Sequence, residues 1–409
     1  MPRPLIPRAD LEARVRAALR ASPVVTLLGP RQCGKTTLAG RIAGGTGSHY
    51  FDLENPTTEA RLAEPMTALG PLRGLVVIDE VQRAPALFPV LRVLADRPRT
   101  PARFLLLGSA SPDLVQASSE SLAGRVSFVD MGGFTLDEVG ERRLRQLWLR
   151  GGFPRSFLAR NEAESVAWRR DFIRTFLERD VRAFGVNVPA RSLRRLWVML
   201  AHYHGQVWNA SEIGRSLGEA HTTVRRHADV LGGALVVRQL QPWFENIGKR
   251  EIKSPKLYVR DSGLLHALLG IEAFDALESH PKLGASWEGF VIEQVLARTG
   301  DRDAYYWGTQ SGAELDLLLM VGGKRIGVEV KYADAPRLTP SMRMALRDLG
   351  LSHLYVVNPG TTRYGLGEGA EVLGLAELLR ELGTHGRWAA RRGRRAAGAR
   401  DIAPMKARS

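Results

Sequence analysis

Apolar-rich runs alternate with amphipathic stretches through the first 150 residues of the chain. Val24–Leu28, His49–Leu53, Leu75–Ile78 and Phe104–Leu107 are short, apolar-rich and separated by segments of helical length. Runs of this kind predict strands covered on both faces, and their alternation with helices predicts a parallel α/β sheet. From Trp168 to Val181 the period lengthens to that of an amphipathic helix carrying both charge signs. Residues 191–275 predict a small helical module with a β wing, and residues 283–384 a second α/β unit opening on helix Ser286–Arg298. The expected division is 1–150, 151–190 as a helical linker or lid, 191–275, 283–384, and a tail from 385 to 409.

In the second α/β unit, two strand-like runs, Leu315–Val321 and Lys324–Lys331, flank Gly322-Gly323, a two-residue hairpin signal. A regular hairpin closed there sets Asp316 opposite Glu329 and Glu314 opposite Lys331. Strict alternation then gathers Glu314, Asp316, Glu329 and Lys331 on one face, with Leu315, Leu317, Val328 and Val330 on the other. Two carboxylates that close are able to share a divalent cation, and a lysine beside them stabilises developing phosphate charge. Glu288 shares an inward helical stripe with Ile292 and Val295. A structural ion cluster is the alternative for the same residues.

Gly29-Pro30-Arg31-Gln32-Cys33-Gly34-Lys35-Thr36-Thr37 fits the phosphate-loop pattern G-x-x-x-x-G-K-[ST], between an apolar strand and a helix over Thr36–Ile42. Backbone N–H groups of the loop and the helix N-terminus cradle phosphates, Lys35 reaches the β and γ oxygens, and the Thr36 hydroxyl ligates Mg²⁺. Leu75-Val76-Val77-Ile78-Asp79-Glu80 delivers two carboxylates to the same sheet edge. Asp79 is the expected Mg²⁺ holder and Glu80 the expected general base. Ser109 ends another apolar strand and is expected beside the γ-phosphate; a strand-terminating turn is the alternative. Arg125, in Leu122-Ala123-Gly124-Arg125, is the candidate arginine finger, the alternative being an ordinary ion-paired arginine.

Between residues 209 and 231 the pattern predicts a short helix stopped at Gly218, then a second helix with Val224, Ala228 and Leu231 inward and Thr222, Arg225, Arg226 and Asp229 outward. This suits a helix-turn-helix reading DNA, with Lys249 and Arg250 in a wing between strands near 235–240 and 256–260. Modules of the same pattern also serve as lids or protein contacts.

Composition changes the picture in three ways. The formal net charge is +15, and the tail from Gly386 to Ser409 supplies seven of those charges. Such a tail predicts disorder, and it equally suits a polyanion partner. Cys33 is the single cysteine, which excludes an internal disulfide and a cysteine-based zinc site. The chain holds neither a membrane-spanning apolar run nor an apolar signal core, so a cytoplasmic protein without a membrane partner is expected.

The phosphate loop, the Ile78-Asp79-Glu80 strand end, Leu107-Gly108-Ser109-Ala110, Leu122-Ala123-Gly124-Arg125 and Gly151-Gly152-Phe153-Pro154 occur in this order. Together they resemble the prokaryotic ATP-binding proteins that pair an AAA+ domain with the C-terminal domain of unknown function 4143. The resemblance implies an AAA+ P-loop ATPase core with ATP and Mg²⁺, a winged-helix middle and a C-terminal domain similar to PD-(D/E)XK nucleases. In the nuclease motif Asp316, Glu329 and Lys331 are the matching positions, Glu288 matches the helical glutamate, and a second Mg²⁺ or Mn²⁺ would be held by Asp316 and Glu329. It implies by analogy a homo-oligomer, ring-shaped in many relatives. The expected function is an ATPase that binds and remodels or processes DNA, with metal-dependent cleavage as a further option. The alternative is a nucleotide-gated DNA- or protein-binding switch with an inactive nuclease-like domain.

Overall fold

The computed structural model describes residues 5–44, 47–98, 102–109, 118–181, 188–244 and 252–383. These fall into two units. The first takes the described residues of Met1–Tyr203, Asn209–Arg238 and Tyr258–Ser279; the second takes those of His204–Trp208, Gln239–Leu257 and His280–Ser409.

The first unit is built on five parallel strands: β1 (Val24–Gly29), β2 (Ser48–Asp52), β3 (Gly74–Asp79), β4 (Ala102–Ser109) and β5 (Val126–Asp130). Their order is β2-β3-β4-β1-β5. All six residues of β1 are buried, and β4 is nearly as enclosed, which is why both read as unbroken apolar runs. The register pairs Gly29 with Ser109 and Asp52 with Asp79. The C-terminal edge of the sheet therefore collects Gly29, Asp79 and Ser109, with β4 standing between the strands that end in the other two. β5 lacks a strongly apolar run, having Ser127 and Asp130 within it, and the hydrophobic pattern gave no sign of it.

Helix Glu162–Thr175 continues into a wider π-type turn, Phe176–Asp180. It begins six residues before the amphipathic pattern, because Asn161 caps it through a hydrogen bond from Glu164 N. Further along the same unit come helices Ala190–His202, Ala210–Leu217 and His221–Gly233. The turn between the last two is tight: a Cβ on Gly214 would meet the Glu219 carbonyl oxygen at 2.6 Å.

In the second unit β6 (Gln206–Val207) pairs antiparallel with the first residues of β8 (Lys256–Val259), and β7 (Val237–Leu240) is the remaining strand of this small sheet, ordered β6-β8-β7. The chain leaves the first unit within β7 and returns to it within β8. A six-stranded sheet follows, from β9 (Ala304–Gly308), β10 (Glu314–Val321), β11 (Lys324–Val330), β12 (His353–Asn358), β13 (Tyr364–Gly367) and β14 (Ala370–Gly374), in the order β13-β14-β12-β11-β10-β9. Gly322 and Gly323 both take positive φ, 61° and 78°, as a two-residue hairpin turn of this twist requires. The expected register holds from Val321↔Lys324 to Leu317↔Val328.

Beyond that point strict alternation fails. Against β9, β10 is irregular between Leu315 and Leu318. Those two side chains join one core cluster with Met342, Leu354 and Val356. Regular alternation would have set them on opposite faces. A bulge admits an extra residue, and it falls on Asp316 and Leu317.

Candidate functional site

The phosphate loop starts where β1 ends. A Cβ on Gly29 would meet the Met131 carbonyl oxygen at 2.3 Å and Cys33 Sγ at 2.9 Å, so only glycine fits there. Gly34, at φ +102°, turns the loop into helix Lys35–Ala43. The helix N-terminus thus opens onto the loop, with its first N–H groups free for anionic oxygens. Lys35 is 6% exposed, and its Nζ donates to the carbonyls of Gly29 at 2.9 Å and Pro30 at 3.0 Å. The ammonium is therefore folded onto its own loop, held by groups that a phosphate oxygen can replace. Thr36 and Thr37 lie exposed on the first helical turn, and Cys33 is buried.

Thr36 Oγ1 donates to Asp79 Oδ2 at 2.8 Å. A hydroxyl bonded to a carboxylate at the mouth of a phosphate loop is a donor set of hard oxygens, so Thr36 and Asp79 are the residues that would hold Mg²⁺. Glu80 follows in the left-handed region, φ +56°, an uncommon conformation for a residue with a Cβ. Its backbone N–H donates to Asp79 Oδ1 at 2.9 Å, and its carboxylate accepts from Gln82. Among the described residues Ser109 Oγ is buried without a hydrogen-bond partner, at the strand end beside Gly29.

Several contacts here carried no sequence motif. Tyr50 donates to Asp79 Oδ2 at 2.6 Å. Burial, and then its bond to Asp79, raise the Tyr50 pKa. Arg31 pairs with Asp180 at 3.1 Å. Burial lifts the Asp180 carboxyl above its ordinary range, with Arg31 opposing. Trp168 Nε1 donates to Gln32 Oε1 at 3.3 Å and its ring stacks on Phe172. Two consecutive loop residues are thus tied to one helix and its π-type extension. The only local signal was an acid closing a long helix.

Arg125 lies elsewhere. Its carbonyl accepts from Val24 N at 3.2 Å, so it sits at the N-terminal edge of the sheet, about 17 Å of strand away from Gly29. Its guanidinium is held by Asp96, with the Nη2–Oδ2 distance 2.8 Å. That position excludes a role in the chain's own phosphate site.

In the second unit the expected acids converge, around a residue the motif did not include. Lys256, 3% exposed at its side chain, places Nζ 3.1 Å from Glu288 Oε1 and 3.4 Å from Asp316 Oδ1, and pairs with Glu314 as well. Asp316 Oδ2 accepts from Val330 N at 2.8 Å, and Glu329 Oε1 pairs with Lys331 at 2.7 Å. Among the described residues Glu329 Oε2 is buried without a hydrogen-bond partner. Burial, and then the neighbouring Asp316, push the Glu329 carboxyl up to about 8. Burial works against the Lys331 ammonium, yet Glu329 and Asp316 raise its pKa overall. Among the described residues no group of three or more His, Cys, Asp or Glu side chains is placed to hold a metal ion. The expected acids Asp316 and Glu329 are brought together, and an ammonium, Lys256, stands among the acids. A lysine opening an otherwise apolar strand was the available clue.

Residues 21–140 match the AAA domain, residues 141–275 a domain of unknown function (DUF8612) and residues 283–378 the domain of unknown function DUF4143. The chain is 56% identical over 364 residues to Rv2008c of Mycobacterium tuberculosis and to Mb2031c of Mycobacterium bovis, covering 89% of this chain and 82% of each relative. The chain belongs to this AAA–DUF4143 family. Solved structures add little to that. The Walker-type ATPase PABY2304 of Pyrococcus abyssi aligns at TM-score 0.47 and 15% identity, over 65% of this chain and 96% of its own. Protein VC1899 of Vibrio cholerae aligns at TM-score 0.20 and 13% identity, over 90% and 98%. Both scores are too low to carry an argument.

The AAA domain of this AAA–DUF4143 protein therefore carries a P-loop ATPase site for ATP. In its DUF8612 segment, Val224, Ala228 and Leu231 are buried and Thr222, Arg225, Arg226 and Asp229 exposed, the two stripes expected from the pattern. Lys249, Arg250 and the 385–409 tail lie outside the described residues. Among the described residues no helix is long and apolar enough to cross a membrane.

Proposed function

We propose that this chain is a cytoplasmic AAA enzyme that binds DNA and uses ATP hydrolysis to remodel or process it. One observation carries the reading. The Thr36–Asp79 hydrogen bond, with Glu80 next to it, stands in the same unit as the exposed Thr222, Arg225 and Arg226 face. Lys35 and the loop amides bind the phosphates, Thr36 and Asp79 hold Mg²⁺, and Glu80 takes the proton of the attacking water. Ser109, buried and unpartnered, supplies a hydroxyl to the γ-phosphate. Arg125, remote from its own site, acts on the nucleotide of a neighbouring copy, so the working form is a homo-oligomer.

The test is the ATP hydrolysis rate with single-stranded, duplex, forked and four-way DNA at defined salt, with Lys35→Ala as control. Strong stimulation by one structure supports the reading. A low rate indifferent to every DNA overturns its DNA half and leaves a nucleotide-gated protein-binding switch. One observation favours a restrained version of the C-terminal domain. Lys256 among the nuclease-like acids supports an inactive site there over cleavage by Glu288, Asp316, Glu329 and Lys331.

A further inference from the structure

Three of the four carboxylate oxygens of Asp316 and Glu329 already have N–H partners: Lys256 Nζ, Val330 N and Lys331 Nζ. An ammonium has three donors, and Glu288, Glu314 and Asp316 offer Lys256 three carboxylates. Below it, the Tyr306 ring centroid is 5.8 Å from Nζ, close enough for its negative face to favour a cation.

The lysine is not a surface side chain that happens to lean inward. Its backbone is pinned by the β6–β8 pairing, Val207↔Lys256. On either side, Trp208 N bonds Pro255 O at 3.3 Å and Gly205 N bonds Leu257 O at 2.8 Å. A lysine this enclosed is stable as a cation only with its charge matched, and the carboxylates match it.

A hard divalent cation would need the same oxygens at roughly 2.0–2.6 Å and six or more ligands in all. With Lys256 in place, the cation would meet a like charge at contact distance and find one unengaged oxygen on the Asp316–Glu329 pair. The two cations exclude each other.

We propose that Lys256 is the resident cation of this carboxylate cluster, so that the C-terminal unit keeps its acids together without a divalent metal. The cluster is then a buried ion-pair network that fixes helix Leu283–Thr299, β8 and β10 through one ammonium, and the hydrolytic metal chemistry of the nuclease motif is replaced. This goes beyond the ATPase reading and does not rest on it.

The test is Mn²⁺ binding by the full chain without nucleotide, followed by the electron paramagnetic resonance signal of free Mn²⁺. Wild type is expected to show no saturable site that depends on Asp316. Lys256→Met is expected to gain one, at least about tenfold tighter than any wild-type binding. The gained site should vanish in Lys256→Met/Asp316→Asn, and Mn²⁺ should raise the melting temperature of Lys256→Met alone. A wild-type Mn²⁺ site that disappears in Asp316→Asn overturns the proposal, as does a Lys256→Met chain that binds no better than wild type. If Lys256→Met fails to fold, wild type against Asp316→Asn decides by itself. Nucleotide is absent throughout, so a failed ATPase or DNA reading leaves the result untouched.

Discussion

Tyr50 donates its hydroxyl hydrogen to Asp79 Oδ2 at 2.6 Å, the same oxygen that Thr36 uses. Burial and the carboxylate both keep Tyr50 protonated, so the tyrosine remains a donor at every pH the protein meets. It holds Asp79 toward Thr36, the pair proposed to hold Mg²⁺. Tyr50→Phe should raise the Mg²⁺ concentration for half-maximal hydrolysis about three- to tenfold, the net worth of one typical hydrogen bond. At saturating Mg²⁺ the rate should recover to within about twofold. A Mg²⁺ titration of ATP hydrolysis checks both statements, and an unchanged midpoint would remove Tyr50 from the site.

Glu80 differs from Asp79 in having a strained backbone and one side-chain partner, Gln82. In the proposed function its role is proton abstraction, not phosphate or metal binding. Glu80→Gln keeps the size and the hydrogen bonding but cannot take a proton. Hydrolysis should fall by about a hundredfold or more, while ATP affinity stays within about threefold of wild type. Single-turnover hydrolysis beside equilibrium binding of a fluorescent ATP analogue separates the two. A parallel loss of affinity would make Glu80 a structural residue of the loop.

How much of this was legible in the residues depends on how local each cause is. The phosphate loop and the Asp79-Glu80 strand end are contiguous, and the parallel sheet brings them together by its direction alone. The hairpin register followed from Gly322-Gly323, and the pairing to Leu317↔Val328 agrees. The bulge beyond it was hidden, because β10 and β11 read as a regular pair without β9. Lys256 was invisible for a different reason: it lies 60 residues before Asp316 and belongs to a strand expected in a wing. Trp168 and Asp180 meet the loop across still longer separations, 136 residues in the case of Trp168 and Gln32, and such contacts have no period. Arg125 was singled out from its motif, which gave its identity but not which end of the sheet it occupies.

The Arg31–Asp180 pair ties the phosphate loop to the π-type end of helix Glu162–Thr175, while Arg31 reaches Glu54 only at 3.7 Å. Asp180 is largely buried and Glu54 half-exposed, so the two pairs should differ in worth. Asp180→Ala should lower stability by about 1–3 kcal/mol, since it leaves a guanidinium short of its partner. Glu54→Ala should cost no more than about 0.5 kcal/mol. Urea unfolding followed by tryptophan emission measures both. Equal small effects would mean the helix is docked by its aromatic contacts alone.

Thr222, Arg225 and Arg226 form the exposed face of helix His221–Gly233. If that face meets DNA phosphates, each arginine removed should cut the slope of log affinity against log salt by about one. Arg225→Ala/Arg226→Ala should therefore bind more weakly at low salt and converge on wild type as salt rises. Fluorescence anisotropy with a labelled duplex at several salt concentrations reads the slope. An unchanged slope would assign this face to protein contacts.

His227 lies on the buried side of the same helix, 6% exposed. Burial, and then the charge of Arg226, depress its pKa below the ordinary 6.5, with Glu219 opposing. The folded helix therefore holds a neutral imidazole over a range where the unfolded chain binds a proton. With more protons bound in the unfolded state, stability rises with pH through that range and is lost as pH falls below about 6.5. The loss continues down to the depressed folded value, where both states are protonated. Hydrogen exchange of helix His221–Gly233 should accordingly quicken between pH 7.5 and 5.5, after correction for the intrinsic pH dependence of exchange. His227→Gln keeps a polar side chain of similar length but has nothing to titrate, and it should flatten this response. If wild type and His227→Gln show the same pH dependence, the imidazole is solvated in the folded state and the burial argument fails. If only wild type responds, acid weakens the one helix on which the proposed DNA contact depends, and DNA affinity should drop over the same pH interval.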